Sequence, residues 1–134
     1  MTIASFDDLL HAATEQLEPQ RLLFVFATAG VDEHATAEQR ARFEAGQGGT
    51  LTPLMCVDKL PSELASFDAL LEESREFEQP WDMVFVAALP GSSGVSPTSA
   101  QAEAPLQRMV DSIKSGSIGG FIPFDAQGRP VHFS

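Results

Sequence analysis

Residues 4–30, ASFDDLLHAATEQLEPQRLLFVFATAG, lie over residues 65–91, ASFDALLEESREFEQPWDMVFVAALPG, at a fixed offset and without a gap. Twelve of the 27 positions are identical: Ala4, Ser5, Phe6, Asp7, Leu9, Leu10, Glu15, Pro19, Phe24, Val25, Ala27 and Gly30 recur 61 residues on. Chance would leave about two such matches, so the stretch is a duplicated supersecondary unit. This constrains the fold more than any other feature, because whatever one copy forms must also suit the other.

The unit itself is readable as a helix followed by a strand. Ser5 and Ser66 are placed to cap helices, with Asp7 and Asp68 at the positive end of the helix dipole. Phe6, Leu9, Leu10, Ala13 and Leu17 recur at helical spacing on one face, and Phe67, Leu70 and Leu71 repeat the pattern. Pro19 and Pro80 are expected to end these helices. The runs LLFVFA (22–27) and MVFVAA (83–88) are apolar at every position, as strands covered on both faces are, and Gly30 and Gly91 close them.

After the strands the two copies diverge. Thr36 with Gln39 and Thr98 with Gln101 have the spacing of a capping box, so each half continues into a second helix. Leu106, Met109, Val110 and Ile113 give the later helix an apolar face, whereas AEQRARFEAG (37–46) has Phe43 as its main anchor. GGTLTPLMCV (48–57) and GGFIPFD (119–125) then read as strands holding one proline each, which places them at sheet edges or strand starts. DAQG (125–128) before RPVHF predicts a terminal hairpin.

The expected fold is therefore α/β, a single domain over residues 1–134 built of two α-β-α-β halves, about 1–61 and 62–134. A mixed sheet of four or five strands with helices packed on it, a pseudo-twofold between the halves and parallel parts from right-handed crossovers follow from this alternation. A chain of 134 residues with 43% apolar and 20% charged residues can bury a core of its own.

Charge narrows the partners. The formal net charge is −11, and the eight Lys and Arg are scattered along the chain rather than clustered. Neither nucleic acid nor an anionic membrane is an expected partner, since both select clustered basic residues. No apolar run approaches the length of a bilayer span, and MTIASFDD lacks the basic region of a signal peptide. With one cysteine there is no internal disulfide, and the cytoplasm is the simplest compartment.

The residues that could carry chemistry are few. Cys56 lies within an apolar strand run, where packing in the core is favoured over reactivity. His11, His34 and His132 show no metal-ligand spacing, and the repeat replaces His11 by Glu72, which suits a solvent-facing position. The segment ALPGSSGVSPTSAQ (88–101) runs from a strand through a Gly/Ser-rich loop to a helix N-terminus, the arrangement that can cradle a phosphate. It has neither GxxxxGK[ST] nor GxGxxG, and Asp32 and Glu33 of the corresponding first-half loop would repel an anion. Trp81, the sole tryptophan, stands at a strand entrance after an acidic stretch and is expected to be partly buried.

The runs RLLFVFATAG (21–30), FEAGQGGTLTPLMCVDK (43–59), APLQRMV (104–110) and GGFIPFDAQGRPVHF (119–133) resemble a family of small proteobacterial proteins. The likeness covers nearly the whole chain, and some members of that family carry the label "ribonucleotide reductase subunit alpha". The label implies a radical-bearing cysteine with a redox cysteine pair, in a barrel several times this size. A chain with Cys56 alone and no tyrosine does not fit that catalytic role, which leaves two accounts of the label: an error, or a trace of association with the enzyme.

Two functional readings follow. The first is a non-catalytic cytoplasmic module that binds another protein or itself as a homodimer, through edge strands such as those holding Pro53 and Pro123. The second is a small-molecule binder or enzyme with a site between loops 30–36 and 91–99. Its candidate ligand-binding residues are Asp32, His34, Gly91, Ser92, Ser93 and Gly94. Neither reading assigns a catalytic residue, a metal site or a cofactor.

Overall fold

The computed structural model describes residues 5–30, 36–44, 50–64, 66–76 and 80–131. Helix and strand alternate throughout: α1 (Phe6–Thr14), β1 (Gln20–Gly30), α2 (Ala37–Glu44), β2 (Thr50–Lys59), α3 (Phe67–Arg75), β3 (Met83–Pro90), α4 (Ser99–Ser115) and β4 (Ile122–Asp125). Local chemistry sets the helix starts. The Ser5 hydroxyl accepts from the Asp8 amide and the Ser66 hydroxyl from the Ala69 amide. Both capping boxes form: Gln39 and Thr36 bond reciprocally, as do Gln101 and Thr98. The side chain of Phe43, the expected anchor of α2, lies outside the described residues.

The first helix stops five residues before Pro19. Thr14 Oγ1 donates to the His11 carbonyl at 2.7 Å and Gln16 Nε2 to the Ala12 carbonyl at 3.1 Å. Side chains thus take acceptors that a further turn of backbone would need. Leu17, expected on the buried face, is left fully exposed at 103%.

The four strands form one sheet in the order β2-β1-β3-β4, and all three ladders are antiparallel. The expected parallel parts are absent from these ladders for a topological reason. Gly30 lies opposite Thr50, so the link from β1 to β2 returns to the end it left. The connection that does cross over, from β2 through α3 to β3, joins strands of one direction that β1 separates. Pro53 and Pro123 fall in β2 and β4, the two edge strands, as expected.

The sheet is covered on both faces. Helices α1 and α3 pack Phe6, Leu9, Phe67 and Leu70 against Leu22, Phe24, Phe26, Val84, Val86 and Phe124. On the other face α4 packs Ala102, Leu106, Met109 and Ile113 against Leu23, Val25, Ala27, Met83 and Phe85. The hairpin after β4 forms with a bridge between Phe124 and Pro130, and its Gly128 carbonyl accepts from the Phe6 amide at 3.2 Å.

The repeat is preserved in the helices and shifted in the strands. Phe6 and Phe67 share one core, but Phe24 lies beneath α1 and α3 while its sequence counterpart Phe85 lies beneath α4. Face by face, the residue matching Phe24 is Val86, directly opposite it in the ladder. A one-residue slip turns every side chain of a strand to the other face. It is tolerated here because both strands are apolar at each central position. The strands therefore do not follow a strict sequence-matched pseudo-twofold.

At the far end of α3 a buried serine joins the two repeat elements. Ser74 Oγ donates to the Leu71 carbonyl at 2.6 Å and accepts from Trp81 Nε1 at 2.9 Å. The half-buried indole then meets Phe26 edge-on, with ring centroids 4.9 Å apart. Ser74→Ala removes the indole's acceptor, and the expected loss is about 1–3 kcal/mol in urea unfolding followed by Trp81 fluorescence. Ser74→Thr, which keeps the hydroxyl, should recover part of it.

Candidate functional site

The loops expected to form one cleft depart from opposite ends of the sheet. Gln20 is paired with Pro90, so the loop after β3 starts beside the beginning of β1, whereas Gly30 leaves from the other end. The eleven residues of β1 hold these ends roughly 30 Å apart. Equivalent positions in the repeat become remote because β1 and β3 run antiparallel. Asp32 and His34 lie outside the described residues.

Gly91, Ser92, Ser93 and Gly94 are brought together, though not as a phosphate cradle. Ser92 and Val95 exchange backbone hydrogen bonds of 3.0 and 2.9 Å around a two-residue turn. Its central residues, Ser93 and Gly94, have φ of 52° and 79°, the conformation of a tight hairpin turn. The Gly91 amide donates to the Pro19 carbonyl at 2.8 Å, and the Gly94 amide to Glu18 Oε2 at 2.8 Å. The amides of Gly91, Ser92, Gly94 and Val95 are thus already bonded, and a carboxylate stands where an anion would have to sit.

This end of the sheet nevertheless has relief. A cleft of about 300 Å³ lies between the hairpin, the end of β3 and the start of α4, with Leu89, Pro90, Val95 and Pro97 among its walls. A second, of about 240 Å³, is walled by Ala13, Gln16, Pro19, Leu60 and Pro61. Ser96 lines both, so they adjoin. Leu17 and Val95, the latter 67% exposed, are the two large apolar side chains that stand out in solvent among the described residues, and both belong to this end.

The start of α4 is fixed by a polar cluster that joins distant parts of the chain. Arg21 Nε donates to the Pro97 carbonyl at 2.7 Å, and its Nη1 reaches Asp58 Oδ2 at 2.5 Å. Ser99 Oγ approaches both oxygens of the same carboxylate, at 2.8 and 2.9 Å. Arg21 and Asp58 are mostly buried, with 13% and 16% of their side chains exposed. The arrangement ties β1, β2 and the first turn of α4 together. Among the described residues no histidine stands beside it to relay a proton: His11, the described one of the three in the chain, is exposed and pairs with Glu15 at 2.9 Å. Sequence reasoning did not find this cluster, since Asp58 lies 37 residues from Arg21 and 41 from Ser99 with no local motif.

Cys56 is exposed at the edge of the sheet, which corrects the expectation of core packing. Its neighbours Met55 and Val57 turn towards the α1/α3 core, so strand alternation turns Cys56 to the opposite face. There it is paired with Val25 but lies one strand further out. Partial burial, and secondly the carboxylate of Asp58, push the thiol above its ordinary pKa. Alkylation by iodoacetamide should therefore be slow at neutral pH and still accelerating at pH 9, because the thiolate is the nucleophile. A rate that levels off below pH 8 would contradict this.

Among the described residues no group of three or more His, Cys, Asp and Glu is placed to hold a metal ion, and no helix is long and apolar enough to cross a membrane. Comparison with protein-family models, curated proteins and solved structures finds no match to this chain.

Proposed function

We propose that the protein is a non-catalytic cytoplasmic module that binds another protein, as a regulator or as a homodimer, by adding a strand to the outer edge of β2. The observation that supports this is the edge itself. β2 is ten residues long and, among the described residues, its one neighbour in the sheet is β1. Its first part carries the edge protection typical of monomeric sheets, a bulge near Pro53. From Met55 to Lys59 the register with β1 is unbroken, which leaves a regular stretch able to accept a partner strand.

Light scattering during dilution tests the homodimer, which should show twice the 14.4 kDa chain mass at high concentration. Cys56→Lys, a charge set on this edge, should return the mass to that of a monomer. A chain that is monomeric at every concentration eliminates the homodimer. Native pull-down then tests a different partner, and the label carried by the resembling family makes the large reductase subunit the first protein to look for.

The second reading, a small-molecule binder, is supported by the cleft of about 300 Å³ beside the hairpin. A ligand there raises the melting temperature by mass action. No shift across a broad metabolite panel counts against it.

A further inference from the structure

We infer that the end of the sheet bearing Leu17 and Val95 docks a basic amphipathic segment of a partner protein. The inference rests on the reading of the chain as a protein-binding module and adds a surface separate from the β2 edge.

Three observations converge on one place. Leu17 and Val95 are 103% and 67% exposed. They are held near each other by the bonds from Gly94 to Glu18 and from Gly91 to Pro19, each 2.8 Å. Beside them lie the two adjoining clefts of about 300 and 240 Å³, with apolar walls from Leu89, Pro97, Leu60 and Pro61. Apolar side chains of a partner therefore find both protruding contacts and recesses, the relief of a hydrophobic contact site.

The charge around this relief selects the partner. Arg21 and Lys59, the basic residues of the neighbouring strand ends, are already paired with Asp58 and Glu73. Glu18 and Glu63 accept only backbone amides, from Gly94 and Leu60, in the hydrogen bonds of the described residues. Carboxylates on an apolar surface, in a chain of net charge −11, are met by Lys or Arg flanking an apolar stripe. A second copy of the chain would bring carboxylates against carboxylates, and an anionic membrane would be repelled likewise.

The test uses the full chain labelled with ¹⁵N and an 18-residue Leu/Lys amphipathic peptide, with its Leu/Glu counterpart as control. The basic peptide should shift amides of residues 16–18, 60, 62–63 and 91–96, and Leu17→Ser with Val95→Ser should weaken it at least tenfold. Glu18→Gln with Glu63→Gln should also weaken binding and flatten its salt dependence. Glu103→Gln with Asp111→Asn removes the same charge from exposed positions of α4 and should leave affinity unchanged. Equal binding of the acidic peptide, shifts spread over α4, or unchanged affinity in the double serine variant would each overturn the proposal. So would a dimer that Leu17→Ser with Val95→Ser dissociates, since the occupant would then be a second copy. Loss of dimerisation on Cys56→Lys with peptide binding retained separates this surface from the β2 edge.

Discussion

Phe6→Ala is expected to remove about 3–5 kcal/mol of folding free energy, the usual cost of deleting a buried aromatic side chain. Phe6 is among the largest fully buried residues, and its ring meets those of Phe24, Phe67 and Phe124 at 6.0, 5.0 and 5.4 Å. One side chain thus links α1 to α3, to the centre of the sheet and to the edge strand β4. Little can collapse into the space it leaves, because the three partners belong to three separate elements. Native domains are stable by about 5–15 kcal/mol, so the variant should lie near the limit of folding. Its melting temperature should fall by roughly 10–20 °C for a domain of this size. Thermal unfolding followed by circular dichroism reads this directly. Leu17→Ala, which truncates an exposed side chain, serves as the comparison and should change nothing measurable. A loss below about 1 kcal/mol for Phe6→Ala would mean that the four-ring cluster is not the centre of the core.

The elements that could be read from the chain are those whose causes are local. Ser5, Ser66, Thr36 and Thr98 cap their helices through partners three residues away, and a spacing of three is visible in any sequence. The central strands were legible because a run such as LLFVFA has no polar position that water could claim. The same uniformity concealed which way each strand faces: with both faces apolar, nothing in MVFVAA marks the slip that sends Phe85 under α4 and Val86 under α3. Cys56 was misjudged for a related reason. LTPLMCV reads as a run that packs in the core, and although Pro53 points to a sheet edge, nothing in the run marks which of its residues the edge leaves uncovered; Cys56 is one.

The candidate site shows how a repeat can mislead. Loops at matching positions of two copies invite a shared cleft, as they would if the strands ran in parallel with their carboxyl ends together. Antiparallel pairing of β1 with β3 sends those ends apart. What gathers at the far end instead is Pro19, Leu60, Pro61 and the 91–97 hairpin, which come from three separate stretches of chain. The exposed Leu17 of this end was hidden by its own periodicity. It sits where α1 would bury it had Thr14 and Gln16 not bonded the carbonyls of the last turn.

Gly91→Ala should be the most disruptive of the glycine substitutions at this end, costing about 3 kcal/mol or more. A Cβ at this position would fall 2.1 Å from the Val95 carbonyl oxygen and 2.9 Å from that of Pro19. Both obstacles are backbone, so no side-chain rotation relieves them and the hairpin must lift from the start of β1. That movement strains the 2.8 Å bond from the Gly91 amide to Pro19 and the one from Gly94 to Glu18. It also displaces Pro97, whose carbonyl Arg21 holds, and with it the first turn of α4. Gly94→Ala has open space around its Cβ but a φ of +79°, and should cost only about 1–2 kcal/mol for the left-handed backbone. Gly30→Ala, at the opposite end and with nothing within 4 Å of its Cβ, should be close to neutral. Denaturant unfolding of the three variants checks the order. If Gly91→Ala were as stable as Gly30→Ala, the hairpin would not be seated on β1, and the two clefts that share Ser96 would not exist as a fixed surface.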